Sequence, residues 1–164
     1  MNYEILLAIF FTISPITELR VGLPILVNYC LRNNLPIAPY FFLVILLNIL
    51  VVFFIFFFLD FLHKKFLKIS FYKKFYFKFL KIMRKKQEKF EERFYNFGYF
   101  VLIIFVAIPL PGTGAWTGSF LAWFFGLERK KSILAISLGV LIAGVIILFF
   151  SYNLFSFLLK ILKK

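Results

Sequence analysis

Few residues in this chain are equipped for chemistry, and they sit in two short strings. A glutamate and an arginine lie inside a long apolar stretch, in Ser14-Pro-Ile-Thr-Glu-Leu-Arg-Val-Gly-Leu-Pro24. A charge at helix-centre depth in a bilayer costs about 2.5–3.5 kcal/mol, so an ionisable group kept there is functional by default. On a helix, Glu18 and Arg20 would point apart. On broken backbone they can meet, or bracket an anion between them. The guanidinium offers a planar fork to phosphate or carboxylate, and the carboxyl is a candidate proton carrier. The bland alternative is a pair that only neutralises itself. It is the weaker reading, because buried ion pairs seldom add stability.

The second string is Ile108-Pro-Leu-Pro-Gly-Thr-Gly-Ala-Trp-Thr-Gly118. A helix that starts after such a break presents free N–H groups and a positive dipole end to an anion. Thr113 and Thr117 add hydroxyls. Trp116 caps the tip, stacks on a cation or anchors at the membrane interface. Asn48, in the apolar block between the strings, is either interhelical glue or a substrate contact. The glycines lack phosphate-loop spacing, and no Gly-Lys-Ser/Thr follows, so no nucleotide site is expected. With no Ser/His/Asp set or carboxylate pair, acid–base catalysis has little to use. One cysteine, Cys30, and one histidine, His63, leave no intramolecular disulfide and no Cys/His metal site. The expectation is a non-enzyme without cofactor or metal.

These residues must be positioned by apolar elements. Of the 164 residues 63% are hydrophobic, against roughly 45–50% in a soluble domain. Mean hydropathy is +0.94, yet the net charge is +13. So small a soluble body could not hide that much apolar surface, and an integral membrane protein follows. The N-terminus lacks a signal peptide's basic start, so the first apolar segment is expected to stay. Blocks Pro39–Leu62 and Ile133–Leu159 read as spanning helices. Ile5–Ile13 and Val101–Ile108 each give only about half a bilayer at 1.5 Å per residue. Pro15, Gly22 and Pro24 are expected to break the first block. Pro109, Pro111, Gly112, Gly114 and Gly118 are expected to break the second.

The expected fold is therefore all-α and membrane-integral. It has two inverted repeats, each a re-entrant helical hairpin plus a spanning helix, with a basic amphipathic helix between. Residues 1–62 form the first repeat, 63–93 the insert and 94–164 the second repeat of a single membrane domain. The insert holds twelve Lys/Arg and three Glu with a helical apolar stripe. It is expected to lie on anionic lipid at the cytoplasmic face, Lys81, Arg84, Lys85, Lys86 and Lys89 supplying the contacts. Its bulky stripe and lack of any recognition motif speak against nucleic acid. Hairpins and four full spans give the same inside-positive score. The Pro-x-Pro-Gly-x-Gly break at mid-block favours the hairpins.

Glu18-Leu-Arg-x-Gly-x-Pro24, Asn48, the string Ile108–Gly118 and Ser137-Leu-Gly-Val-Leu-Ile-Ala-Gly144 together resemble the small multidrug export protein family of prokaryotic membrane proteins. The likeness covers nearly all of the chain except the basic insert. The two-hairpin pattern is also similar to the wider DedA superfamily, which implies exchange of lipid phosphates for protons. The Arg expected near that superfamily's second hairpin has no counterpart here. The resemblance and the residues together predict a proton-coupled exporter of small amphiphilic molecules. A DedA-type lipid-phosphate flippase and a lipid-binding structural protein are the alternatives. Four membrane elements make a thin wall, so a homodimer is expected.

Overall fold

A computed structural model of the chain describes residues 3–66 and 92–162. Six helices follow in order: α1 (Tyr3–Ile13), α2 (Glu18–Arg32), α3 (Ile37–Phe66), α4 (Glu92–Ala107), α5 (Ala115–Phe124) and α6 (Arg129–Leu162). No strand occurs among the described residues. Two helices, α3 and α6, are long and apolar enough to cross a membrane. Most of the basic insert, with Lys81, Arg84, Lys85, Lys86 and Lys89, lies outside the described residues.

The first break has a local cause. Pro15 has no N–H to give to the Phe11 carbonyl one turn back. The Thr17 hydroxyl takes that carbonyl instead, at 2.7 Å. The Phe10 carbonyl accepts the Ser14 N–H at 3.1 Å, and the Ser14 carbonyl accepts the Glu18 N–H as the next helix begins. The remaining end carbonyls of α1 are met from other elements. Asn48 Nδ2 on α3 donates to Thr12 O at 3.1 Å, and Trp116 Nε1 on α5 donates to Ile13 O at 3.1 Å. A helix end shielded from water needs such partners for its free carbonyls.

In the second break, Pro111 and Gly112 form the corner of a turn. Gly112 has φ +84°, and the Thr113 N–H reaches Leu110 O at 3.2 Å. That is a type II turn, which needs a positive φ at its third residue.

Three expected breakpoints do not break the backbone. Pro24 lies inside a continuous α2. Its lost hydrogen bond is tolerated in a helix held by neighbours on several sides, here α1, α3 and α6. Gly22 and Gly118 are also helical. Each lets a hairpin arm approach its partner. A Cβ on Gly22 would lie 2.0 Å from Thr12 Oγ1 and 2.6 Å from Ala8 O. One on Gly118 would meet Val106 at 2.6 Å. Small residues at such crossings let membrane helices touch backbone to backbone. Gly22→Ala is therefore expected to cost about 1–3 kcal/mol, the usual penalty for overpacking. Thermal unfolding in detergent reads this, and adding Thr12→Ala should recover part of the loss.

The helices pack as two interlocked sets. In one, α1 lies on α2; in the other, α4 lies on α6. Across the sets, α2 packs on α6 and α5 packs on α3. Leu19, Leu23, Leu26 and Val27 of α2 form the shared core with Val44 and Val52 of α3 and Ile136 and Val140 of α6. Outward faces carry Phe53, Phe54, Phe57 and Phe58 on α3, and Leu134, Leu138, Phe149 and Phe150 on α6, all exposed. An apolar surface of that extent is shaped for lipid or protein rather than water.

Candidate functional site

The two strings meet. Glu18 opens α2 with a φ of +49°, a left-handed conformation that costs a non-glycine residue roughly 1–2 kcal/mol. Strain of this kind persists where surrounding contacts over-determine it, and Glu18 has such contacts. Only 3% exposed, it sends its carboxylate to the first turn of α5. Oε1 accepts the Trp116 N–H at 3.0 Å. Oε2 accepts Arg20 Nη1 at 3.3 Å. The N-cap of α5 is Gly114, which offers no side chain to the free N–H groups. The ordinary capping oxygen of Ser, Thr, Asp or Asn is replaced by a carboxylate from another helix. There it also faces the positive end of the helix dipole.

Gly114 makes room for this arrangement. A Cβ there would stand 1.4 Å from Glu18 Oε2 and 2.3 Å from its Cδ. The neighbour that would have to yield is the buried carboxylate itself.

Arg20 spreads its fork across the junction. Nη1 faces Glu18, and Nη2 donates to Thr113 Oγ1 at 2.7 Å and more weakly to Ile108 O at 3.4 Å. Thr113 Oγ1 lies 2.6 Å from Ile108 O and 2.8 Å from Leu110 O, so its single proton is kept within the second break. Arg20 Nε is buried and has no hydrogen-bond partner among the described residues. The bridging groups thus alternate between breaks: Glu18 and Arg20 reach the second, and the Trp116 indole reaches the first.

The expectation that Glu18 and Arg20 meet agrees with this geometry. The N–H groups of α5, expected to face a substrate, already hold Glu18. Trp116 has both its N–H groups engaged, the backbone one by Glu18 Oε1 and the indole one by Ile13 O. Asn48 is 1% exposed and joins α3 to the end of α1, with its Oδ1 unpartnered among the described residues. Thr117 is half-buried on α5, next to Trp116 in the chain.

Sequence reasoning missed the role of Gly114 as a seat for the carboxylate, and the carbonyls of Thr12 and Ile13 as acceptors. The only signal for them is Pro15, whose missing N–H implies free carbonyls upstream. It also missed a cluster at the far end of α3. There Asp60 Oδ1 accepts Trp123 Nε1 at 3.1 Å, and Asp60 Oδ2 accepts Arg129 Nη1 at 2.9 Å.

A family model described as "Putative small multi-drug export protein" matches residues 18–146. The matched stretch opens on Glu18 and takes in the whole second break. No curated protein and no solved structure matches the chain. Two helices of spanning length and an export-family match together mark a membrane protein.

Proposed function

The chain belongs to this small multi-drug export family, and from that premise we propose that it is a proton-coupled exporter of small amphiphilic molecules with Glu18 as the proton carrier. The observation that carries the proposal is the Glu18 carboxylate seated on the first turn of α5 beside Arg20. Ionised, Glu18 holds the α5 N–H groups and the guanidinium at once. A proton on the carboxyl removes its charge and weakens both bonds, since charge-assisted hydrogen bonds are about twice as strong as neutral ones. With the carboxylate seated, the Arg20 guanidinium is held in place, and its Nε, without a partner among the described residues, can take the polar head of a substrate. Protonation from the outer side loosens the seat and releases the head there, and loss of the proton to the inner side restores the site. Proton and substrate thus use the site in turn, as exchange requires. A head bearing phosphate or carboxylate suits the fork best.

Helix lengths support placing this site at mid-membrane. α1 has 11 residues and α5 has 10, about 16 and 15 Å at helical rise. Each is half of a hydrocarbon core of about 30 Å. The Glu4–Arg32 ion pair joins the start of α1 to the end of α2, and the Tyr99 hydroxyl accepts the Glu128 N–H at 3.0 Å beyond α5. Both features suit two re-entrant hairpins entering from opposite sides, that is, inverted repeats. The basic insert then lies at the cytoplasmic face on anionic lipid. Ile16, 82% exposed, and Leu110, 57% exposed, sit on the breaks. Broken backbone at that depth must be covered by protein or line a wet cavity, which favours a homodimer closed over the breaks.

Proteoliposomes test the proposal. With a pH gradient imposed, a panel of amphiphilic compounds is added and the gradient is followed with an entrapped dye. Compounds that are exported should collapse the gradient in wild-type vesicles only.

A further inference from the structure

Asp60 stands near the end of α3 where three helices meet. Its two oxygens bind Trp123 of α5 and Arg129 of α6 separately. The Arg129 guanidinium also lies over the Phe56 ring of α3, 5.6 Å from its centre. His63 sets its ring edgewise to Trp123 at 5.5 Å. Every one of these contacts crosses from the first helix set to the second. At the opposite end of the molecule, the Glu4–Arg32 pair joins α1 to α2 and stays within one set.

The helix α5 is a short rod fastened at both ends. Its first turn holds Glu18, and its last turn is tied to α3 through Trp123 and Asp60. The second fastening is light. The carboxylate that accepts the Trp123 N–H has a side chain 43% exposed and is shared with Arg129, 50% exposed, and contacts of a carboxylate so open to solvent are weak. A tie of that strength suits a part that must release in each cycle.

We infer that Asp60, Trp123 and Arg129 form a latch, closing the Glu18 site toward the end of α3 that leads into the basic segment. The latch rests on the transport reading, and Asp60 is a positioning residue in it: it acts on the site through α5. When Asp60 lets go of Trp123, α5 can part from α3 and open a path from that end to the first turn that holds Glu18.

The test measures accessibility, without transport. Thr117→Cys is placed on α5 in a Cys30→Ala background, and a membrane-impermeant maleimide is applied from the side of the basic segment. Labelling should be slow with the latch intact and several-fold faster with Asp60→Ala or Trp123→Phe, each of which removes the tie between α3 and α5. Asp60→Glu, which keeps a carboxylate to accept from the Trp123 indole, should keep the slow rate, which a general loosening caused by any change at position 60 would not do. Equal rates in all four proteins overturn the latch, as does an Asp60→Glu protein that labels as fast as Asp60→Ala. If labelling responds as expected while no compound collapses a pH gradient, the latch stands and the transport reading fails. If flux is present and labelling never changes, the reverse holds.

Discussion

Glu18→Gln is expected to reduce proton-driven flux to that of protein-free vesicles while leaving the protein folded. Glutamine matches glutamate in size and keeps an oxygen for the Trp116 N–H, so α5 remains capped. The Trp116 bond changes from charge-assisted to neutral, a loss of about 1 kcal/mol; Arg20 loses its counter-charge at further cost but keeps Thr113 Oγ1 and Ile108 O as acceptors. What disappears is the titratable proton. Flux is read from collapse of an imposed pH gradient, and folding from thermal unfolding in detergent. Glu18→Asp, shorter by one methylene, should keep partial flux with a weaker hold on α5. A folded Glu18→Gln protein with full flux would end the carrier role.

The second large effect is expected at Gly114. Alanine there adds one carbon at a point 1.4 Å from Glu18 Oε2. The carboxylate must leave the α5 N-terminus, or α5 must shift away from α2. Overpacking alone costs about 1–3 kcal/mol. A displaced, buried and unpaired carboxylate adds to that. Flux should fall as far as with Glu18→Gln, and the unfolding temperature should fall further. The double variant Gly114→Ala with Glu18→Gly separates the two effects. Glycine removes the colliding carboxylate and suits the left-handed backbone at position 18. Part of the stability should return, since the α5 cap and the Arg20 pair stay lost, and flux should not return. If Gly114→Ala alone is as active and stable as the wild type, the carboxylate does not sit where the geometry places it.

Much of this site is legible in the sequence, because its signals are local. Pro15, Pro109 and Pro111 remove donors, Gly112 permits a positive φ, and Glu18 and Arg20 are conspicuous among apolar neighbours. These mark the two breaks and the meeting of the charged pair. What stays hidden depends on how distant segments pack. That α5 is capped by a carboxylate from α2 cannot follow from Gly114 and Glu18 lying far apart in the chain. Pro24 resembles a break because its missing N–H is local, whereas the packing that keeps α2 continuous is not. Gly22 and Gly118 resemble conformational hinges for the same reason, and their role is close approach. Asp60 stands out as the one charge in its block, but Trp123 and Arg129 become its partners only once α5 folds back on α3.

Sidedness of two positions tests the central claim, that both short hairpins turn back at mid-membrane. Leu162→Cys at the end of α6 and Lys130→Cys at its start are each made in a Cys30→Ala background. Both are then probed in intact cells with a membrane-impermeant thiol reagent. With two re-entrant hairpins, Cys at 162 is labelled from outside, and Cys at 130 only after the membrane is opened. Labelling of 130 from outside, with 162 protected, would mean four plain spans and would contradict the account.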